Sequence, residues 1–443
     1  MHDFATQDRQ VLADLADWMV RRRLEPMAVT PCDPEQLPAV GADGLGIEAT
    51  WALLRDRILP SGFPTDHPRY LAFVGGAPTA AATIADAALS AAAVYGGSEL
   101  EAGAVVAVER AAMRWLCDVV GYPDGAHGTF VSGGSLANLS ALVAARHGRV
   151  ATDGRPPHLI VAGASAHSSV RSAAAIMGCE VVWAGSSDHP LDRADLEAVL
   201  GTLDRRDVVA VVATAGATNS GAVDRLDEIA DLCTDRGVWL HVDAAYGGAA
   251  MLSASHRDQF RGIERADSIT IDPHKWLFTP FDCAAVLYLN PQLALAAHRQ
   301  RAAYLDVVNE ADGDNPADYA AHLSRRARGV PIWASLIANG TAAYADAVES
   351  CLSLASYAVK QIEASDHLEI AAEPHLSVVL FRRVGWTAEQ CAAWSTAMRL
   401  QGQALVTPTM VGEQTVFRMC FINPLTTTSD IDSVLGYLES HES

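Results

Sequence analysis

Apolar and polar positions first fall into a helical rhythm over residues 5–24, where Val11, Leu12, Leu15, Met19 and Val20 share one face. The stretch ends in Arg21-Arg22-Arg23, a basic finish that suits the negative end of a helix dipole. A proline-containing extended segment at 26–38 leads to a second helical pattern at 47–58, closed by Pro60 and Pro64. Such an arm has little core of its own. It is expected to lie on a partner subunit or, as the plainer alternative, on the body of its own chain. Ala-rich helical patterns follow at 80–94 and 105–119.

Between about 130 and 290 the rhythm changes. Short β-branched runs at 158–162, 180–184, 208–214, 238–242, 268–271 and 284–289 alternate with helical stretches. That alternation predicts parallel βαβ units in an α/β domain. Ligands of such sheets bind beyond the carboxyl ends of the strands, so the polar residues just after each run are the candidates for chemistry. After Pro331 a long helical stretch, about 335–362, precedes strand patterns at 376–381 and 416–422 and helical patterns at 388–401 and from 429. This predicts a smaller α+β domain.

Composition narrows the partners. The chain has 443 residues, 50% hydrophobic and 19% charged, which allows two or three domains around a large core. A formal net charge of -21 argues against nucleic acid or an anionic membrane as partner and leaves small molecules. The eight cysteines form no CxxC pair and no metal-ligand cluster, so reduced thiols and no metal are expected. The polar, acidic start and the lack of about 18 continuous apolar residues lead to the expectation of a cytoplasmic protein.

Lysine is scarce, with Lys275 and Lys360 set against thirty arginines. Arginine stays protonated, so amine chemistry has two candidates. Lys360 falls in a helical surface pattern. Lys275, in Asp272-Pro273-His274-Lys275-Trp276, follows a β run, where packing would hold the amine and is expected to lower its pKa. Ser132-Gly133-Gly134-Ser135, ahead of a helix, is a plausible phosphate cradle, although an ordinary glycine turn is the better reading in isolation. His167 follows the strand at 158–162 and either stacks on a flat heterocycle or caps the next helix. Asp243 closes another strand, followed by the small residues Ala244 and Ala245, and a buried carboxylate there needs a cationic or donor partner. A phosphate cradle, a stacking imidazole, a carboxylate and an amine in this order match the demands of pyridoxal phosphate.

At ASAHSSV (164–170), HVDAAYGG (241–248), DPHKWLFTPFDC (272–283), SRRAR (324–328) and FRMCFINP (417–424) the chain resembles the group II pyridoxal-phosphate decarboxylases acting on aromatic amino acids, glutamate and cysteine sulfinate. The likeness extends over essentially the whole chain. It implies the aspartate-aminotransferase-like fold type I: a helical arm (1–79), a large α/β domain with a mostly parallel seven-stranded sheet (80–332) and a small α+β domain (333–443). It also implies a homodimer with the active site at the interface. By the same resemblance Lys275 would form the imine with the cofactor, His167 would stack on its ring and Asp243 would pair with its nitrogen. Gly133, Gly134, Ser135 and His274 would hold the phosphate, with Asp272, Thr214 and Ala245 beside the cofactor. Arg418 would take the substrate carboxylate, with Phe73, Gly76 and Trp276 near the substrate. Tyr304, on a lid expected at about 298–319, would return a proton to Cα.

The implied reaction is decarboxylation of an L-amino acid. Gly75 and Gly76 replace larger residues of aromatic-amino-acid decarboxylases, either enlarging the pocket or letting a neighbouring chain close in. Ala217 replaces a usual threonine. No extra basic residue offers itself to a distal carboxylate, so an aromatic or otherwise bulky substrate is favoured over an acidic one. An aldehyde synthase on the same scaffold is the alternative reaction, with a transaminase and a catalytically retired binding protein further behind.

Overall fold

The computed structural model of this chain describes residues 6–24, 29–149, 156–301 and 314–441. The six β-branched runs become strands β2 (Leu159–Gly163), β3 (Glu180–Ala184), β4 (Val208–Thr214), β5 (Trp239–Asp243), β6 (Ser268–Ile271) and β7 (Ala284–Tyr288), preceded by β1 (His127–Val131). Together they form one seven-stranded sheet in the order β1-β7-β6-β5-β4-β2-β3. All residues of β4 are buried, as a central strand covered by helices on both faces requires.

Neighbours β3, β2, β4, β5 and β6 are parallel, whereas β7 runs antiparallel to both β6 and β1. The reversal has a local cause. Parallel neighbours need a crossover, commonly a helix, but β6 and β7 are joined by residues 272–283, which contain none and bring the chain straight back. As a result β1, β2, β4, β5 and β6 all point their carboxyl ends to one edge of the sheet.

Two apolar cores cover the two faces. One includes Val211, Leu240 and Ile269 with Met113 and Leu116 of α4 (Glu99–Val120). The other includes Val212 and Val286 with Ala141 and Ala145 of α5 (Gly134–Gly148) and Val170 of α6 (Ser168–Met177). A third core, around Trp394, Phe381, Phe417 and Leu438, lies against an antiparallel sheet in the order β10-β11-β9-β8. Strands β9 (Val378–Arg383) and β11 (Gln414–Cys420) were legible as apolar runs. Two were not: β8 (Leu368–Ile370) is only three residues long, and β10 (Thr407–Val411) is an edge strand carrying Pro408. The helix Gly329–Glu363, broken in its dihedrals at Gly340, links the regions, so the division expected at 332 falls inside a helix.

The arm comprises α1 (Thr6–Leu24) and α2 (Ile47–Leu53), and no residue of α2 is buried. Trp18 meets Trp51 edge-on, the Trp51 indole donates to Asp14, and Arg22 grips Asp66 with two 2.7 Å bonds. Among the described residues no helix is long and apolar enough to cross a membrane.

Candidate active site

At the carboxyl edge of the sheet, a cavity of about 280 Å³ is lined by side chains from five strand ends. The loop after β1 contributes Gly133, Gly134 and Ser135, and the loop after β2 contributes His167. Thr214 ends β4, Asp243 ends β5, and His274 and Lys275 follow β6. Register places Asp243 between Thr214 and Thr270 on the neighbouring strands. Residues up to 142 positions apart in sequence thus meet because parallel strands carry them to one edge.

One end of the cavity is the amino end of α5, which no side chain caps among the described residues. Its first-turn amides and helix dipole favour an anion. His274 Nδ1 accepts the Cys283 amide at 3.0 Å, which leaves Nε2 as the proton-bearing donor. Burial lowers the His274 pKa, with partial opposition from Asp272, so the ring stays neutral. A methyl group on Gly134 would come within 2.9 Å of Asp272 Oδ2, so glycine is what lets this carboxylate reach the helix end.

Lys275 Nζ lies 3.0 Å from Asp272 Oδ2. Burial is the largest influence on this amine and works to lower its pKa. Asp272, Asp243 and the hydrogen bond to Asp272 together outweigh burial and hold the pKa above the ordinary lysine value. The sequence reading expected a lowered value; it missed the two carboxylates that the fold brings to the amine.

Asp243 is buried, and its Oδ1 accepts the Ala245 amide at 3.1 Å while Oδ2 accepts from Asn138 Nδ2 at 2.8 Å. His167 caps α6, its Nδ1 accepting the Ser169 amide at 3.2 Å, and the same ring lines the cavity. The two readings open for this residue are compatible. Thr214 Oγ1 and Asp272 Oδ1 are buried with no hydrogen-bond partner among the described residues. An open helix end, unmatched polar atoms and an amine between carboxylates fit a phosphate-bearing heterocyclic aldehyde with a protonated ring nitrogen.

Arg418, on β11, is 5% exposed. Its Nη1 donates to the Phe73 carbonyl at 2.8 Å, while Nε and Nη2 lack partners among the described residues. Phe73 itself holds a left-handed φ of 53°, is 60% exposed as a residue, and does not line the cavity. Trp276 requires a correction. It is fully buried and stacks on Tyr246 at 5.4 Å, so it belongs to the core beneath the site and not to a substrate surface. Gly76 is corrected as well: a methyl there would lie 2.0 Å from the Lys275 carbonyl oxygen, so its bareness admits the lysine loop and leaves no added pocket space. Tyr304 and most of the expected lid lie outside the described residues.

Sequence reasoning missed Asn138, Ser169, Thr218 and Tyr246, which also line the cavity. For Asn138 a signal existed: an amide inside the apolar stretch LANLSALVAA demands a buried partner.

Comparison with known proteins agrees with this chemistry. The chain is 33% identical over 393 residues to an aromatic-L-amino-acid decarboxylase of Bacillus atrophaeus, covering 84% of this chain and 80% of the relative. It is 32% identical over 418 residues to an L-2,4-diaminobutyrate decarboxylase of Rhizobium meliloti, covering 91% and 83%. The fold matches that of Oryza sativa TDC solved with PLP and tryptamine, with a TM-score of 0.89 over 99% of this chain and 98% of that one at 24% identity. The pyridoxal-dependent decarboxylase conserved domain matches residues 52–384, three quarters of the length, and the chain therefore belongs to the pyridoxal-phosphate-dependent amino acid decarboxylases.

Proposed function

We propose that the cavity around Lys275 is the active site and that it decarboxylates an aromatic or similarly bulky L-amino acid to its amine. The observation that carries the assignment of the site is the convergence of Lys275, Asp243, His167 and the amino end of α5 on one cavity. Pyridoxal phosphate, when bound, supplies an electron sink for the charge left at Cα as carbon dioxide departs. The amides at the start of α5 and His274 Nε2 would hold its phosphate, Asp243 would keep the ring nitrogen protonated, and His167 would cover the ring. Lys275 is the amine that would bind the aldehyde. It must first give up a proton, and Asp272, 3.0 Å away, is the acceptor in reach.

Arg418 would bind the substrate carboxylate with the two nitrogens that have no partner among the described residues, a bidentate geometry that fixes the bond to be broken. Tyr304 remains our proposed proton donor to Cα. Tyr304→Phe should stop amine formation and release aldehyde; unchanged amine formation without aldehyde would remove that role.

The exposed apolar side chains Ile84, Leu100, Phe281 and Ile337 support a homodimer, Phe281 lying 4.7 Å from the His274 ring. Light scattering should give twice the chain mass, and Ile84→Asp with Ile337→Asp should halve it.

A second reading, a diamino acid substrate, is supported by the likeness to the L-2,4-diaminobutyrate decarboxylase of Rhizobium meliloti. The cofactor-loaded protein should be screened against the twenty amino acids and common non-protein ones for carbon dioxide, amine, aldehyde and peroxide. Amine from an aromatic substrate is expected. Exclusive turnover of a diamino acid, or aldehyde with peroxide and ammonia, would replace the first reading.

A further inference from the structure

At the cavity wall a single buried amide ties together groups from four elements. Asn138, 1% exposed and one helical turn into α5, donates through Nδ2 to Asp243 Oδ2 at 2.8 Å and to Ser169 Oγ at 2.9 Å. Its Oδ1 accepts from Thr270 Oγ1 at 2.7 Å and lies 3.0 Å from His241 Nε2. His241 Nδ1 lies 2.9 Å from Ser268 Oγ, which in turn receives the Trp239 indole N–H at 2.9 Å.

The hydrogen positions follow by elimination from the two ends of this chain. An indole nitrogen only donates, and a carboxylate only accepts. Asp243 therefore takes the Asn138 NH2, which turns the amide oxygen to His241 Nε2 and requires that nitrogen to carry the imidazole proton. The Nδ1 of the neutral ring is then left to accept from Ser268, whose oxygen receives the Trp239 indole N–H. Burial lowers the His241 pKa to about 4, so the ring is neutral near pH 7 and has one proton to give.

We propose that Asn138 is a positioning residue for Asp243, and that the Trp239–Ser268–His241 chain exists to stop its amide from flipping. With Oδ2 held by Asn138 and Oδ1 by the Ala245 amide, the carboxylate plane is fixed before any cofactor arrives. A flipped amide would set its oxygen against Asp243 and push the carboxylate out of line. The proposal rests on the reading that Asp243 faces the cofactor ring nitrogen.

The test is the dissociation constant for pyridoxal phosphate, together with the resonance of 15N-labelled ring nitrogen in the loaded protein. Asn138→Leu keeps the branched shape and heavy-atom count and removes the donor, and His241→Leu frees the amide to flip. Each should weaken binding about tenfold or more and move the nitrogen resonance away from its wild-type position. His241→Gln restores an N–H at the Nε2 position and should bind within about twofold of wild type.

If both leucine variants bind as wild type, or if His241→Gln loses as much as His241→Leu, Asn138 is a core-filling residue and the proposal fails. Should Asn138→Leu not fold, the two His241 variants decide alone. Asp243→Ala separates the two levels: if it leaves cofactor binding intact, the reading of Asp243 is wrong; if it weakens binding while Asn138→Leu does not, the positioning role is wrong.

Discussion

Two sets of buried charge in this molecule are built to opposite plans. Arg325 and Glu109, 5% and 3% exposed, meet through paired bonds of 2.6 and 2.8 Å. The same guanidinium also donates to the carbonyls of Gly96 and Phe130, and Glu109 takes the Gly329 amide. Only Arg325 Nε is left over among the described residues. At the carboxyl edge of the sheet, Asp272 is equally buried and lines the cavity, yet its Oδ1 has no partner among the described residues; Arg418, on β11 and not part of the cavity lining, likewise leaves Nε and Nη2 unmatched. The first set closes on itself and anchors the SRRAR segment to α4 and β1. The second keeps its bonding capacity open, which costs stability unless something else completes it. A buried charge by itself does not mark a site; an incompletely matched one lining a cavity does.

The sharpest break in the comparison is Lys275→Ala. Decarboxylation should fall by roughly 10⁴-fold or more, with the cofactor-free protein unfolding at nearly the wild-type urea concentration. Glu109→Gln should do the reverse. It strands a buried guanidinium and should lower unfolding free energy by about 3–5 kcal/mol, while protein that remains folded keeps its KM. Arg418→Gln should be milder in both respects, raising KM about a hundredfold for the loss of a charged bidentate contact.

The smallest effect is a pH slope. Burial lowers His67, His127, His241 and His322 to about 4. Their folded values lie below the unfolded ones, so between about pH 4 and 6.5 the unfolded chain binds more protons and stability rises with pH. Asp224 opposes them: burial raises it to about 7, so its contribution is complete below the unfolded carboxylate value and is lost as pH rises toward 7. Urea midpoints should still climb across that range. His127→Gln should reduce the slope by about one proton, and Asp224→Asn should steepen it.

The sequence exposed six of the seven strands of the large sheet because each is a short apolar run between helical stretches, with β1 seen only as an extended 129–131, and it exposed Lys275, Asp243 and His167 because strand ends are where such folds place ligands. It hid whatever depended on distance across the sheet. The Asp243 charge on Lys275, the stacking of Trp276 beneath the site and the contact between Gly76 and the lysine loop all join separate segments, and no local pattern carries them; Asp272, three residues before Lys275, was in plain view and its charge was passed over. Edge strand β10 was concealed for a different reason: Pro408 and partial exposure weaken the apolar alternation.

The most direct measurement uses the scarcity of lysine. Borohydride reduction of the cofactor-loaded protein, followed by peptide mass spectrometry, should place one pyridoxyl group on Lys275 and none on the exposed Lys360. A pyridoxyl group on Lys360, or on neither lysine, would contradict the assignment of the site.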